Sequence, residues 1–289
     1  MMNLKKNIYE IKKKALPVNI IQSFKFNMSN YSPLIYYWDY KQNWGDSINK
    51  FLFESVLKKE VFVSSQVFNL KNQENITGVG SILSSRLEHY SIWGSGFLSE
   101  NHSLIHRPNK VLSVRGKLTA KKIKDLFKID CPILGDPGLL FKEYYNPDLS
   151  KKYSVGIIPH FKELDLPILK NIEGKYGNEV LVISPTLDIF KFAEMVKQCE
   201  KILSSSLHGL ILAESYGIPT ERIILSDRLI GGDFKFMDYY SGVGLEDCFD
   251  SRKIILDSGN IFSVAQKASQ KDLKYNAGFL INCLVNHVG

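Results

Sequence analysis

The feature that most constrains this chain is a repeated alternation of short β-rich runs with amphipathic helical segments. LIYYW (34–38) precedes DSINKFLFESVLKK, whose apolar positions follow helical spacing. VLSV (111–114) precedes TAKKIKDLFK, for which Thr119 is the predicted N-cap. Such alternation predicts parallel sheets covered by helices. A chain of 289 residues with 44% hydrophobic residues can bury the core that such sheets need.

The alternation restarts after EYYNPDLSKKY (143–153), a polar stretch that marks a predicted domain boundary. Beyond it, the expected strands are YSVGIIPH, EVLVISP and KILSSS, and the expected helices are IFKFAEMVKQCEK and GLILAESY. We therefore predict an α/β protein with two α/β units, residues 1–149 and residues 150–289, facing each other across a cleft. A last helix is expected near residues 260–286, packing back across the first unit.

The charge of the chain favours anionic partners, because the formal net charge is +7 and the pI is about 9.0. We expect no nucleic-acid partner, since the sequence has no helix-turn-helix, zinc-finger or RNP-like pattern. Small phosphorylated substrates and an anionic membrane surface both fit this charge. A basic segment near the N-terminus permits two interpretations, a helix that contacts a membrane or a terminal helix surrounded by water. It contains Ile8 and Ile11 together with Lys5, Lys6, Lys12, Lys13 and Lys14.

No segment predicts a membrane span or a metal centre. No apolar run reaches the roughly 18 residues of a spanning helix, and the N-terminus lacks the apolar stretch of a signal peptide. We therefore expect a cytoplasmic protein, which could contact the inner face of the membrane peripherally.

The histidines form no metal-binding motif. The cysteines lack ligand spacing, so we expect reduced thiols; they are Cys131, Cys199, Cys248 and Cys283.

Polar residues cluster where the predicted strands end, at the edge where open parallel sheets bind ligands. A helix that begins just after His208 would direct backbone N–H groups at an anion, and the preceding serine hydroxyls would add donors. Arg115 suits a carboxylate or a phosphate because its guanidinium donates two parallel hydrogen bonds. The full set of candidates is Asp46, the tripeptide Gly94-Ser95-Gly96, Arg115, His160 and the stretch from Ser204 to His208.

Each candidate also has a structural interpretation that the sequence leaves open. The serines can cap the helix while the imidazole of His208 bonds a carbonyl, and Asp46 can be the N-cap of the following helix. Arg115 can form a surface salt bridge, and His160 is a single histidine with no motif around it. Asp136, in LGDPGLL, is expected to serve a turn.

Taken in order, several segments of the chain resemble the polysaccharide pyruvyl transferase family, in particular the bacterial branch that decorates exopolysaccharide or capsule repeat units. The segments run from about residue 43 to about residue 244 and are NWGDSINKFL, GVGSIL, IWGSGF, VLSVRGKLTA, LGDPGLLF, VGIIPH, SSSLHGLILAESYGIP and KFMDYYSGVG. The resemblance implies two Rossmann-like domains in a GT-B-like arrangement. It also implies phosphoenolpyruvate as donor and a cyclic pyruvate ketal on a sugar as product. We expect no cofactor and no metal, because protonation of the donor starts such a reaction without a Lewis acid.

The resemblance also implies which residues act. The polar positions essential in the family fall on Asp46, Arg115 and His208, which we expect to be catalytic, with the acid and base roles of His208 and Asp46 left open. Some relatives carry an arginine two residues before the histidine, where this chain has Ser206. Arg115, Lys117 or the helix N-terminus would then supply the missing positive charge. The residues expected to bind substrate are Ser204, Ser205, Ser206, Gly209, Gly94, Ser95, Gly96, His160 and Lys117.

In this interpretation residues 1–149 form the acceptor side and residues 150–289, with SSSLHG, form the donor side. The acceptor is a sugar of a glycan or of a lipid-linked oligosaccharide. Two alternatives remain open. SSSLHGLILAESYGIP also resembles the donor-site helix of a nucleotide-sugar glycosyltransferase, with Glu214 where such enzymes hold a ribose. The other alternative is a non-catalytic scaffold of polysaccharide assembly.

Overall fold

The computed structural model describes residues 13–29, 32–229, 231–248 and 254–289. Most of the basic N-terminal segment, residues 1–12, therefore lies outside the described residues. The strands are β1 (Leu34–Tyr36), β2 (Phe62–Val63), β3 (Asn75–Thr77), β4 (Tyr90–Trp93), β5 (Lys110–Ser113), β6 (Tyr153–Ile158), β7 (Val180–Val182), β8 (Cys199–Ser204) and β9 (Thr220–Arg222). The α-helices are α1 (Pro17–Met28), α2 (Trp44–Leu57), α3 (Lys117–Phe127), α4 (Phe141–Tyr144), α5 (Pro167–Tyr176), α6 (Ile189–Lys197), α7 (Leu207–Ser215), α8 (Phe234–Gly242), α9 (Ile261–Ala265) and α10 (Ala277–Val288). Short 3-10 helices cover Pro137–Leu140 and Glu246–Cys248.

The described strands form two parallel sheets, so the predicted α/β class is confirmed. The first sheet has the order β2-β1-β3-β4-β5, and the second has the order β7-β6-β8-β9. Every pairing between neighbouring strands is parallel. The first order is that of doubly wound, flavodoxin-like sheets, and the second repeats its opening part.

Each sheet has one point where the strand order reverses. In the first sheet this point lies between β1 and β3, because β2 pairs on one side of β1 and β3 on the other. In the second sheet it lies between β6 and β8 for the same reason. Ligands of open parallel sheets bind in the crevice at such points, beyond the carboxyl ends of the strands. The segments that leave β1, β3, β6 and β8 are therefore where a site is expected.

One hydrophobic core runs through both sheets. Its buried side chains include Ile35 of the first sheet and Ile202 of the second. Trp44, at the start of α2, lies in the same core, with its ring centroid 5.1 Å from that of Phe141 and 5.6 Å from that of Phe192. The two sheets therefore share apolar contacts. A division into domains at residues 149 and 150, with a cleft between them, stays a prediction.

The N-terminus of α3 differs from the sequence-based expectation, in which Thr119 is the N-cap. The helix begins at Lys117 and its N-cap is Gly116, so Thr119 lies inside the first turn. There Thr119 donates from its N–H to Asp238 Oδ1 at 2.8 Å and from its hydroxyl to Asp238 Oδ2 at 2.7 Å. A carboxylate from α8 thus satisfies the helix end. The prediction was wrong because the capping group is distant in sequence.

The C-terminal region also differs from the single helix expected near residues 260–286. It forms α9 and α10, separated by the polar run QKASQKDLKYN, which has few apolar residues to bury. Asn276 caps α10 by accepting a hydrogen bond from the Phe279 N–H at 2.9 Å. Helix α10 packs against α2 and β5, and Trp93 Nε1 donates to the Leu280 carbonyl at 2.7 Å. This C-terminal helix thereby closes over elements from the first half of the chain.

Candidate active site

The segments that leave β1 and β8 meet at the N-terminus of α2. The backbone N–H of Trp44, the first residue of α2, donates to the Pro185 carbonyl at 2.7 Å. The next residue, Gly45, lies directly against the imidazole of His208, since a β-carbon at Gly45 would stand 1.8 Å from His208 Nδ1. Position 45 therefore requires glycine for the imidazole to lie where it does. The contact brings the first turn of α2, which includes Asp46, to the histidine.

His208 lies in the first turn of α7, and one of its ring nitrogens has no partner. Nε2 is buried and forms no hydrogen bond with any described residue. A buried nitrogen in this state costs free energy unless a ligand satisfies it. Burial, with Lys235 and Arg115 nearby, lowers the pKa of His208 to about 3. The imidazole is therefore neutral at neutral pH and can accept a proton.

The three serines before His208 have different surroundings. Ser204 Oγ accepts a hydrogen bond from the Ser206 N–H at 3.0 Å, and Ser205 Oγ donates to the carboxylate of Glu163. Ser206 is the N-cap of α7, but its hydroxyl makes no capping bond. Ser204 and Ser205 are thus hydrogen-bonded inside the protein, but neither hydroxyl caps the first turn of α7. The expectation that the serines cap this helix is therefore wrong, and no side chain of the described residues accepts a hydrogen bond from the first-turn N–H groups of α7.

Asp46 occupies the first turn of α2 behind an N-cap supplied by Asn43. The Asn43 side chain accepts a hydrogen bond from the Asp46 N–H at 3.2 Å, and its amide donates to Asp46 Oδ2. The interpretation of Asp46 as the N-cap is therefore wrong. Gly80, which has a φ of 134°, approaches so closely that a β-carbon there would stand 3.2 Å from Asp46 Oδ1. Burial raises the pKa of Asp46 to about 7, so its carboxyl can hold or release a proton near neutral pH.

A buried lysine that the sequence analysis did not single out completes this group. Lys235 lies in the first turn of α8 and is only 6% exposed. No carboxylate of the described residues forms an ion pair with it, and its Nζ lies 5.2 Å from the centroid of the Phe236 ring. Burial, followed by the charges of Arg115 and Arg222, lowers the pKa of Lys235 to about 8. The only sequence signal for Lys235 was its place at the start of KFMDYYSGVG.

Arg115 is fully buried, and its three guanidinium nitrogens all bond to other parts of the protein. Nε donates to Asp238 Oδ2 at 2.9 Å, Nη1 to Ser81 Oγ at 2.6 Å and Nη2 to the Phe97 carbonyl at 2.7 Å. Gly96 lies against this group, since a β-carbon there would stand 2.4 Å from Arg115 Cζ. The surface salt bridge considered for Arg115 is therefore a buried ion pair with Asp238.

His160 follows β6 and belongs to the same electrostatic group. Its backbone N–H donates to Ser205 Oγ at 2.9 Å, so it is tied to the segment that leaves β8. Burial, followed by the positive charge of Lys235, lowers the pKa of His160 to about 3. Glu163 lies fully buried beside it and accepts hydrogen bonds from Ser205 Oγ at 2.5 Å and Ser226 Oγ at 2.6 Å. Two neutral imidazoles thus lie near the switch point between β6 and β8, together with the ammonium of Lys235, which no described carboxylate pairs with.

The tripeptide Gly94-Ser95-Gly96 forms internal contacts at the end of β4. A β-carbon at Gly94 would stand 2.1 Å from Pro137 Cδ. Ser95 Oγ donates to the Gly78 carbonyl, and the Gly96 N–H donates to the Gly80 carbonyl at 3.0 Å. These bonds connect the tripeptide to the segment after β3, in which Gly80 lies close to Asp46. A direct substrate contact for the tripeptide stays a prediction.

Gly209 and Lys117 complete the predicted binding set. A β-carbon at Gly209 would stand 2.6 Å from Ser204 Oγ, so glycine allows α7 to pack on the end of β8. Lys117 forms an ion pair with Glu246, and its side chain is more than half exposed, at 57%. Its charge is therefore neutralised at the surface. Lys117 is a weaker candidate for a buried donor phosphate than Lys235.

Two other buried carboxylates accept hydrogen bonds inside the fold. Asp136 caps the 3-10 helix by accepting from the Gly138 N–H at 2.8 Å, in line with its predicted turn role, and its Oδ2 is buried without a partner among the described residues. Burial raises the pKa of Asp136 to about 6. Glu214 accepts from the hydroxyls of Thr220, Tyr239 and Tyr240 at 2.8, 2.7 and 3.0 Å. These bonds occupy the carboxylate that a ribose-binding role would need.

Within the part of the chain that the structure describes, no three His, Cys, Asp or Glu side chains group as ligands for a metal ion. Cys131, Cys199 and Cys283 are free thiols. Burial raises the pKa of Cys131 to about 11 and that of Cys199 to about 12, so neither is a thiolate at neutral pH. Neither of these two thiols is therefore an activated nucleophile of the kind that a covalent mechanism uses.

Comparison with known proteins connects this site to a family. The family model described as "Polysaccharide pyruvyl transferase" matches residues 90–220, which include Arg115, His160 and His208. An uncharacterized protein of Acanthamoeba polyphaga mimivirus is 34% identical over 219 residues, covering 73% of this chain and 75% of the relative. The succinoglycan biosynthesis protein ExoV of Rhizobium meliloti is 27% identical over 222 residues, covering 73% of this chain and 65% of the relative.

Comparison with solved structures found two of the wall teichoic acid polymerase TagF. The first aligns with 99% of this chain and 96% of its own at a TM-score of 0.47 and 10% identity. The second aligns with 100% of this chain and 98% of its own at a TM-score of 0.44 and 12% identity.

Proposed function

Because the chain belongs to the polysaccharide pyruvyl transferase family, we propose that it moves the pyruvyl group of phosphoenolpyruvate onto a sugar of a surface polysaccharide. Reaction across two sugar hydroxyls gives a cyclic ketal and releases phosphate. In this proposal phosphoenolpyruvate binds on the side of residues 150–289, and the acceptor binds on the side of residues 1–149. The enzyme acts in the cytoplasm without a cofactor or a metal.

The observation that carries the proposal is the ammonium of Lys235, which no described carboxylate pairs with, near Nε2 of His208, which has no hydrogen-bond partner among the described residues. Phosphoenolpyruvate brings a phosphate and a carboxylate, so its site needs a cation and hydrogen-bond donors. Lys235 supplies the cation, and the uncapped N–H groups at the start of α7 supply donors and the positive end of the helix dipole. Ser206 stands where some relatives carry an arginine. Lys235 supplies the positive charge that is missing there.

We assign Asp46 the role of acid and His208 the role of base from their protonation states at neutral pH. Asp46 keeps its proton up to about pH 7, whereas His208 is neutral above about pH 3. Asp46 gives its proton to the methylene carbon of phosphoenolpyruvate, which becomes a methyl group and leaves the adjacent C2 electron-deficient. The first sugar hydroxyl adds to C2 and passes its proton to His208. Proton exchange with solvent then restores both groups.

The second half of the reaction closes the ketal. A second hydroxyl of the acceptor bonds to C2, and the bond between C2 and the phosphate oxygen breaks. The phosphate leaves with the electron pair of that bond and takes the proton of the second hydroxyl. Lys235 and the N-terminus of α7 stabilise the leaving phosphate, because its negative charge increases as the bond breaks.

In this proposal Arg115 does not contact the substrate and instead holds α8 in position. Its ion pair with Asp238 connects the end of β5 to α8, and Lys235 lies three residues before Asp238 on that helix. A rigid α8 holds the ammonium of Lys235 in place, so Arg115 is a positioning residue.

The glycosyltransferase alternative gains no support from Glu214, because three protein hydroxyls already donate hydrogen bonds to its carboxylate.

The direct test is product formation with phosphoenolpyruvate and a panel of glycan acceptors. The proposal expects release of inorganic phosphate only when both substrates are present, together with a glycan whose mass rises by one pyruvate ketal. Removal of metal ions with a chelator should leave the rate unchanged. Tight binding of a nucleotide sugar, without any response to phosphoenolpyruvate, would overturn the proposal in favour of a glycosyltransferase.

A further inference from the structure

Helix α1 turns its polar residues inward and its apolar residues outward. The buried residues of the helix are Asn19, Ser23 and Phe26, one face at helical spacing. The opposite face carries Ile21, Phe24 and Met28, which are 59%, 69% and 68% exposed. Leu16, Val18 and Ile20 beside this face are also at least half exposed. A surface helix of a globular protein normally has the reverse arrangement.

Hydrogen bonds fix this orientation. Asn19 Nδ2 donates to the Lys13 carbonyl at 2.8 Å, and Ser23 Oγ accepts from the Phe68 N–H at 3.0 Å. Asn27 Nδ2 donates to the Phe68 carbonyl at 2.8 Å. Phe26 adds an apolar anchor in a small core. Rolling the helix to hide its apolar face would break these bonds and expose Phe26.

The apolar face continues onto the next loop and is bordered by lysines. Asn27 accepts a hydrogen bond from the Leu70 N–H at 3.2 Å, which sets Leu70, 81% exposed, beside the end of α1. Lys14 lies 5.9 Å from the centroid of the Phe68 ring, and Lys71 lies 5.5 Å from that of Phe26. Exposed Lys25 lies on the helix itself. The sequence has no Asp or Glu between Glu10 and Asp39, nor from residue 61 to residue 73.

We propose that this face, called here the α1 face and formed by Ile21, Phe24, Met28 and Leu70, docks on a lipid surface with anionic headgroups. An amphipathic helix lying in the membrane interface buries its apolar side among the acyl chains while flanking lysines meet the headgroups. No helix of the described residues can cross a bilayer, and α1 rises only about 18 Å along its axis. Docking is therefore peripheral.

Charge favours lipid over a second copy of this chain. A two-fold dimer through the α1 face would set each residue near its own counterpart or a close neighbour, so the bordering lysines of both copies would approach one another. Like charges there oppose association. An anionic lipid surface neutralises the same lysines. This docking does not rest on the proposed reaction.

The test is flotation of the full chain with vesicles of phosphatidylcholine alone or with added phosphatidylglycerol. We expect binding to the anionic vesicles, weakened by high salt, and little binding to the neutral ones. The double variant Phe24→Ser, Met28→Ser should weaken binding at least about tenfold, because two large apolar side chains no longer enter the bilayer. Ile105→Ser, at a residue 68% exposed elsewhere, should bind as the parent does. Circular dichroism should report unchanged folding, since all three replaced side chains are exposed.

Three outcomes would overturn the proposal. Equal vesicle binding by the double variant would remove the α1 face from the interaction. A concentration-dependent dimer in sedimentation, dispersed by the same double variant, would assign the face to a second copy. Binding that appears only after deletion of residues 1–12 would show that this segment covers the face. None of these results depends on whether phosphoenolpyruvate is the donor, so failure here leaves the proposed reaction standing.

Discussion

Two buried cations near the candidate site differ in their surroundings. Arg115 bonds to the Asp238 carboxylate, a serine hydroxyl and a backbone carbonyl, whereas no carboxylate of the described residues pairs with Lys235. Both depend on α8, which carries Lys235 and Asp238 three residues apart. Removing one member of a buried ion pair is destabilising, because the other charge is left buried without compensation. A buried charge without a partner costs stability, and a ligand anion can repay that cost.

The largest effect on stability is expected from Arg115→Ala. The substitution leaves the Asp238 carboxylate buried without its cation, which costs about 3–5 kcal/mol in the free energy of unfolding. Activity should fall in parallel, because α8 loses its link to β5. Urea denaturation measures the stability change, with Arg228→Ala, at an exposed ion pair, as the control expected to change it little. A fully stable but inactive Arg115→Ala protein would make Arg115 a direct substrate ligand.

Lys235→Met is expected to lower activity without lowering stability. Activity should fall by about 100-fold or more, because the cation that meets the donor phosphate is lost. The melting temperature should stay equal or rise, because burial disfavours the charged lysine and lowers its pKa to about 8. Lys121→Met, at an exposed lysine of α3, serves as the control for loss of a positive charge. Strong destabilisation by Lys235→Met would mean that the ammonium supports the fold.

Gly45→Ala separates the placement of His208 from the charge of Lys235. The new β-carbon would overlap Nδ1 of His208, so the ring must move by an ångström or more. Such a displacement can cost about 100-fold in kcat. Binding of phosphoenolpyruvate should suffer less, since Lys235 is untouched. Gly174→Ala, at a helical glycine with open space around it, is the matched control and should leave kcat unchanged. If kcat were also unchanged in Gly45→Ala, His208 would have no part in proton transfer.

A pH dependence is expected at Asp46. Burial raises its pKa from 3.8 to about 7, so the folded state holds this proton longer than the unfolded state does. Its contribution to the free energy of unfolding therefore falls as pH rises from about 4 to about 7 and then stays constant. The Asp46→Asn substitution should therefore change the free energy of unfolding more favourably at pH 8 than at pH 4. Urea denaturation of the parent and the variant at both pH values measures this difference. The value of kcat/KM should likewise fall above about pH 7, and a profile that is flat to pH 9 would contradict the acid role of Asp46.

The elements of the fold followed from local patterns. The alternating strands and helices are present, and Arg115, His160 and His208 each lie at or just beyond the end of a predicted strand. Periodicity could not give contacts between distant segments. It missed the capping of α3 by Asp238, and it gave no reason to choose Lys235 from the many lysines of the chain. That lysine becomes distinctive only through its burial near histidines that leave β6 and β8.

Calorimetric titration with phosphoenolpyruvate, compared between the parent protein and Lys235→Met, tests the central claim most directly. The account predicts saturable binding by the parent and by Lys121→Met, and binding weakened by about 100-fold or more in Lys235→Met. Parallel thermal melts should find Lys235→Met at least as stable as the parent. Equal affinity for phosphoenolpyruvate in a folded Lys235→Met protein would contradict the claim that the ammonium of Lys235 binds the donor phosphate.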